Sequence, residues 1–382
     1  MKTTPRRVTL FVANIEWKFI WQRHQTLAVL FAQDSDVVFC EIPGIRRVGW
    51  RDLPRLWARC RQLLASPRTA AAETLPPGVR VVRPWVLPAT NKFFCALNAW
   101  LLVRFLRGEP ELRQGVDLIV NYSPTRTARQ LLDRVPHRRL VYDCTNDWLS
   151  VRGVPATLAE DERDLLARAD LVLVSGEELR HRKAAGTRRI AVVPEGVLLE
   201  RFEGISAPPP SQPATLLYYG HIHRQHLDLA ALDELARLRP EWRLVLVGPV
   251  RTPHAFPPNV EMRGQLAHTA LRAAIEPAHV LLLPYLLNDY TRCVFPAKTY
   301  ECLATGRPVV ATPLPALVEV AGDLLDFAQG GEALATAVEA ALRRDTPGRA
   351  EARVALARAN TWQARYEQIK RLLSEIDQPR VP

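Results

Sequence analysis

The stretch "LLLPYLLNDYTRCVFPAKTYECLATGRPVVATP", residues Leu281 to Pro313, contains the plan of the fold in miniature. An apolar run leads into a polar loop, then a short helical pattern, then Gly306-Arg307-Pro308, then a second run, Val309–Ala311. Both strand-like runs are apolar throughout rather than alternating. That pattern belongs to strands of a parallel sheet covered on both faces. Pro296 suits the first turn of the helix, and Gly306 and Pro308 suit its end. Lys298 and Glu301 are three residues apart and share one helical face.

Similar runs recur along the chain, separated by helical patterns. In the first half they are Val8–Ala13, Val37–Glu41, Val79–Val82, Leu118–Asn121, Leu140–Asp143, Leu171–Ser175 and Ile190–Pro194. In the second half Leu216–Tyr219, Leu244–Val247 and Val280–Leu283 precede Val309–Ala311. This alternation is that of an α/β protein. The length of 382 residues is too great for one ordinary core and suits two Rossmann-like domains. The proline-dense "SAPPPSQPA", 206–214, reads as the linker between them. The expected division is 1–205, linker 206–214, 215–355, and a last amphipathic helix within 356–382 that packs back toward the first domain.

Composition narrows the class. Hydrophobic residues make up 48% and charged residues 24%, which is globular and excludes global disorder. The net charge of +11 suits phosphorylated substrates, anionic lipid or nucleic acid, and equally a general arginine bias. The six cysteines include no C-x-x-C pair, so reduced thiols are expected rather than a zinc ribbon or disulfide scaffold. The N-terminus lacks the apolar core of a signal peptide. The most apolar segment, Phe93–Leu106, is shorter than the ~20 residues of a spanning helix.

Open parallel sheets bind ligands beyond the carboxyl ends of their strands, and two such domains make the cleft between them the expected site. Gly220 ends the first strand of the second domain and is followed by His221, His223, Arg224 and His226. Glycine admits close backbone approach and Arg224 a permanent positive charge, so this loop suits a pyrophosphate; a plain solvated loop is the competing reading. The histidine spacing matches no standard metal site. Glu301 can accept hydrogen bonds from a ribose diol and Lys298 can face phosphate; the competing reading is a helix salt bridge worth a few tenths of a kcal/mol. In the first domain Asn14, Glu16 and Trp17 follow the first strand. Asp143 and Asp147 follow a later one, with Asp147 either an acceptor contact or a helix N-cap. The "DSD" at 34–36 precedes a strand, at the wrong end of the sheet for a site.

The string "FPAKTYECLATGRPVVATPLPALVEV" resembles the donor-site segment of GT-B glycosyltransferases, in particular bacterial envelope and exopolysaccharide enzymes related to family 4. "NIEWKFIWQRHQTLAVLFA", "VYDCTNDW", "ERDLLARADLVLVSGEEL", "VVPEGVLLERF" and "YYGHIHRQHLDLAALDELARLRPEWRLVLVGPV" resemble further segments of that group in the same order, so the likeness covers nearly the whole chain. The resemblance implies a GT-B fold, with two Rossmann-like domains facing across a cleft. It implies a retaining transfer of a sugar from a nucleotide diphosphate to a glycan or lipid-linked acceptor, without a cofactor or a required metal. It implies catalytic roles for Arg224, Lys298 and Glu301. Donor contacts are expected from Gly220, His223, Arg224, Arg263, Thr291, Lys298 and Glu301, and acceptor contacts from Asn14, Trp17, Arg23 and Asp147. Two departures stand out. Cys293 occupies the place of the first glutamate of the family's E-x7-E pattern, and Asn146 replaces the first aspartate of D-D-W.

The helical pattern Arg51–Ala65 places Leu53, Leu56, Trp57, Cys60, Leu63 and Leu64 on one face, with arginines on the rest. It suits either an interfacial helix or an ordinary surface helix. With the net charge it gives the expectation of a cytoplasmic protein in peripheral contact with an anionic membrane. Two other functions fit parts of the pattern: a non-catalytic sugar-nucleotide-binding partner subunit, which Cys293 allows, and a sugar-nucleotide epimerase, which the P-x-K-x-Y-E string disfavours. A dehydrogenase lacks its G-x-G-x-x-G, and no nucleic-acid-binding motif accompanies the charge.

Overall fold

A computed structural model describes residues 6–42, 75–87, 89, 92–151, 153–205 and 213–377. The pattern Arg51–Ala65, Cys60 and positions 206–212 of the proline-rich stretch lie outside these. The chain forms two compact units. The first comprises Met1–Val174, Arg180–Val193 and Gln368–Pro382, and the second Ser175–Leu179 and Pro194–Glu367. Apart from the short segment Ser175–Leu179, the chain passes into the second unit at Pro194, ahead of the proline-rich stretch, and Val197, Phe202 and Ile205 are already buried in the second unit's core.

The first unit is built on seven parallel strands in the order β3-β2-β1-β4-β5-β6-β7. These are β1 Val8–Ala13, β2 Asp36–Glu41, β3 Val79–Val82, β4 Val116–Asn121, β5 His137–Cys144, β6 Leu171–Val174 and β7 Ile190–Val192. Five of the six residues of β1 are buried, as a strand covered on both faces requires. Helix α1, Arg23–Phe31, starts with a capping box between Gln22 and Gln25. Helix α2 is Lys92–Arg107, α3 Pro110–Gln114, α4 Arg126–Leu132, α5 Leu158–Arg168 and α6 Glu177–Lys183. Strand order reverses between β1 and β4, so the loops from Asn14 and from Tyr122 flank the unit's switch point, where open sheets bind ligands. Asp34 pairs with Lys370 at 3.0 Å and Asp36 with Arg6 at 3.1 Å, so the D-x-D carboxylates meet lysine and arginine at the amino end of β2.

The second unit has six parallel strands in the order β10-β9-β8-β11-β12-β13. They are β8 Thr215–Tyr219, β9 Arg243–Val247, β10 Val260–Gly264, β11 Val280–Leu283, β12 Val309–Ala311 and β13 Asp326–Phe327. Its helices are α7 Leu229–Leu238, α8 His268–Ile275, α9 Thr299–Ala304, α10 Pro315–Ala321, α11 Gly331–Arg344 and α12 Pro347–Ala359; α13, Trp362–Ile376, follows. Alternate residues of β8 feed two cores. Leu217 and Tyr219 pack with the α9 and α10 side, Leu216 and Tyr218 with the α7 and α11 side. Here the order reverses between β8 and β11. The loop from Gly220 and the segment after Leu283, which leads to α9, therefore meet at the switch point.

Candidate active site

The loop from Gly220 and the loop from Gly248 are knitted together beyond the ends of β8 and β9. Gly220 N–H donates to the Val247 carbonyl at 2.8 Å, Ile222 N–H to that of Pro249 at 3.1 Å, and Arg251 N–H to that of Ile222 at 2.9 Å. Such a close approach needs glycine. A Cβ on Gly248 would lie 1.9 Å from the Gly220 carbonyl oxygen. A Cβ on Gly220, whose φ is +143°, would lie 2.1 Å from Lys298 Nζ.

Lys298 is the residue immediately before the first turn of α9, and its side chain makes no capping hydrogen bond. Its ammonium lies 4.8 Å from the centre of the Tyr218 ring and 5.8 Å from those of Tyr219 and Tyr285. Burial alone would favour the neutral amine. The neighbouring Tyr218, Tyr285, Cys302 and Glu301 outweigh it, so the lysine pKa is raised and the charge is held. Tyr218 is itself fixed, donating its hydroxyl to the His221 carbonyl at 3.0 Å. Glu301 accepts from the Tyr219 hydroxyl at 3.2 Å. Burial pushes its carboxyl up to about 7, against the opposing pull of Lys298, Tyr219 and Arg201.

Lys298 and Glu301 are therefore not a helix salt bridge: each has its own partners, and no ion pair joins them. Pro296 differs from expectation. It precedes the helix rather than starting it, and its carbonyl accepts from Thr299 N at 3.0 Å and Thr299 Oγ1 at 2.6 Å. The rest of the motif is scaffold. Buried Arg307 donates to the carbonyls of Ala278 at 2.6 Å and Glu276 at 2.7 Å. Arg353 donates through Nε to the Gly306 carbonyl at 3.0 Å, closing the end of α9.

Arg224 is exposed and its guanidinium has no carboxylate partner among the described residues; its backbone N–H donates to Thr252 Oγ1 at 3.4 Å. Arg251, on the paired loop, is a second exposed cation near His221. Sequence reading missed it, although "VGPVR" after β9 mirrors the glycine turn after β8. The tyrosines around Lys298 were missed as well, since aromatic residues at strand ends read as core. His223 accepts at Nδ1 from Gln225 N–H at 3.1 Å. The pKa values of His221 and His226 are lowered, first by burial and then, for His221, by Lys298, Arg251 and His223, and for His226 by the neighbouring imidazoles of His223 and His221. Among the described residues no group of three or more His, Cys, Asp or Glu side chains is placed to hold a metal ion.

Two further donor candidates are engaged elsewhere. Thr291 is buried, donates to the Leu286 carbonyl at 2.5 Å and accepts from Asn288 N–H at 2.9 Å, so its hydroxyl closes its own loop. Arg263 lies on β10, with Nε 2.7 Å from Glu261 Oε1. Cys293 is buried.

In the first unit Asn14 is partly exposed at the end of β1. Trp17 is buried against Phe39 and Trp21, with its backbone N–H donating to Glu41 Oε1 at 2.7 Å. Arg23 is buried in an ion pair, 2.8 Å from Asp143, and donates to the Val193 carbonyl at 3.1 Å. Asp147 sits at the N-cap position of a 3-10 turn, Trp148–Ser150, but caps no backbone N–H. It meets Lys183 at 2.9 Å, Arg182 at 3.0 Å and Ser150 Oγ at 2.5 Å, and these contacts hold its pKa low against the effect of burial. Arg23 and Asp147 thus brace the sheet's carboxyl edge, and Asn14 is the acceptor candidate left facing solvent.

The fold is GT-B. It is shared with sucrose-phosphate synthase from Thermosynechococcus elongatus, at TM-score 0.71 and 17% identity over 97% of this chain and 99% of that one. It is shared also with Anabaena HepE solved with UDP and glucose, at TM-score 0.66 and 16% identity over 97% and 99%. Residues 213–344, which carry Gly220, Arg224, Lys298 and Glu301, match the family model described as glycosyl transferases group 1. That match spans 132 of the 382 residues. A Bacillus subtilis (strain 168) protein named as a teichuronic acid biosynthesis glycosyltransferase, TuaH, is 28% identical over 203 residues, 46% of this chain and 51% of that protein. The chain matches only about half the length of this curated relative.

Proposed function

We propose that the protein is a retaining glycosyltransferase, moving a sugar from a nucleotide diphosphate sugar to a glycan or lipid-linked acceptor in polysaccharide biosynthesis. The observation that carries this reading is the placement of a buried ammonium, Lys298, ringed by tyrosines, and a buried carboxyl group, Glu301, on one short helix at the second unit's switch point. The TuaH likeness supports the polysaccharide context.

In this reading Glu301 accepts from the ribose hydroxyls. Gly220 leaves room for Lys298 beside the diphosphate, and Arg224 adds positive charge. As the anomeric C–O bond breaks, negative charge grows on the departing diphosphate, and the two cations stabilise it without a metal. The acceptor hydroxyl bonds to the anomeric carbon from the same face and passes its proton to the departing phosphate oxygen. Asn14 is the acceptor contact we would test first. A lipid-linked acceptor would bring the reaction to the cytoplasmic face of a membrane.

The test is a thermal-shift screen of UDP, GDP, dTDP and their sugars, followed by turnover on the best binder and NMR of the product's anomeric configuration. HepE holds UDP, so UDP-sugars come first. Stabilisation by one nucleotide and a retained anomer are expected. An inverted anomer overturns the retaining assignment, and indifference to all three nucleotides overturns the donor assignment.

A further inference from the structure

Helix α2 presents to solvent a face that the glycosyl-transfer site does not use. Phe93 is 71% exposed, Trp100 59% and Val103 40%. Lys92, Ala96, Arg104 and Arg107 are the other exposed residues of the helix. At ~100° per residue these seven positions fall within an arc of about 120°, opposite the buried Asn98, Leu101, Leu102 and Leu106. Exposed Phe and Trp one turn or two from Arg and Lys are the make-up of a helix that lies in a lipid interface. No carboxylate occurs in the helix, "KFFCALNAWLLVRFLR".

The neighbouring segment adds another aromatic residue. The side chain of Asn98 accepts from Leu87 N–H at 2.8 Å and donates to the Leu87 carbonyl at 2.6 Å, which fixes that segment against the helix. Trp85, two residues earlier, is 48% exposed. At 16 residues the helix is ~24 Å long, short of the ~30 Å hydrocarbon core, and no helix among the described residues is long and apolar enough to cross a membrane.

We propose that the face formed by Phe93, Trp100, Val103, Arg104 and Arg107 docks on the surface of an anionic phospholipid bilayer. The aromatic rings enter at headgroup depth and the guanidinium groups meet lipid phosphates. Charge selects this occupant over a second copy of the chain. A self-contact through this face would gather six or more cations with no carboxylate of the helix to answer them, whereas an anionic headgroup layer complements each one. The assignment deepens the membrane expectation above but does not depend on the donor reading, since binding is read without turnover.

The experiment is cosedimentation of the full chain with phosphatidylcholine vesicles, with and without about half phosphatidylglycerol, at low and high salt. Wild-type protein is expected to pellet with the anionic vesicles only, and to be released by 1 M salt, where the screening length falls to ~3 Å. Phe93→Ser/Trp100→Ser and Arg104→Glu/Arg107→Glu are each expected to cut the bound fraction by about tenfold or more. Their thermal stabilisation by the best nucleotide should stay unchanged. The charge-reversed pair carries the test if the serine pair fails to fold. The proposal is overturned if wild type stays in the supernatant with anionic vesicles at low salt, or if the charge-reversed pair pellets like wild type. It is equally overturned if sedimentation velocity shows a wild-type dimer that the variants dissociate, which would assign the face to self-association.

Discussion

At Gly220 the absence of a side chain makes room for Lys298. A methyl group there would lie 2.1 Å from the Lys298 ammonium and 2.8 Å from the Tyr218 hydroxyl. Gly220→Ala should displace Lys298 by an ångström or so and lower turnover ~100-fold, the usual effect of such a misplacement, while the melting temperature moves far less. Steady-state kinetics beside a thermal melt checks this. Glu301 gives a pH signature. Its carboxyl titrates near 7 in the free protein, and the ionised form is the better acceptor for two ribose hydroxyls. Nucleotide affinity should therefore rise as pH climbs through about 7 and level off above it. Glu301→Gln should flatten that rise in a calorimetric series from pH 6 to 8. Stability has the opposite sign. With the native value above the unfolded one of 4.5, the contribution of Glu301 is full below pH 4.5 and is lost as pH rises through about 7.

Among the elements, α1 and β5 are fastened by the buried pair of Arg23 and Asp143, whose side chains are 2% and 1% exposed. Arg23→Met leaves a carboxylate buried without its cation and should cost about 3–5 kcal/mol. Adding Asp143→Asn should restore much of that, and urea midpoints for the single and double variants measure both. The sequence could not show that Arg23 is internal. Its Q-R-H-Q string is polar, and polar strings usually face solvent. Eleven strands were legible as apolar runs, among them the partly buried edge strands β3 and β7. The two missed, β10 and β13, are edge strands. "VEMRG" of β10 is half solvated, and β13 spans two residues, so neither makes an apolar run. In the donor motif, the resemblance of the whole string singled out Lys298 and Glu301, which spacing alone left open to a helix salt bridge. Spacing could not separate Lys298 from Arg307, a scaffold residue of the same charge, because that distinction lies in what surrounds each side chain, tyrosine rings or backbone carbonyls.

At the scale of the molecule, two parallel sheets each bring their switch-point loops to a carboxyl edge, and the second unit's edge holds the chemistry assigned here. The α/β class followed from strand pattern, and the GT-B fold from the resemblance. The division at Pro194 did not, because proline density marks where chain is extended and not where a core begins. The central claim is that Lys298 and Glu301 hold the diphosphate and ribose of one nucleotide. The most direct test is calorimetric titration of the best-binding nucleoside diphosphate into wild type, Lys298→Ala and Glu301→Ala, all confirmed folded. The account predicts that each substitution weakens binding by at least ~10-fold, as loss of one charge-assisted contact should. Wild-type affinity in Glu301→Ala would contradict it.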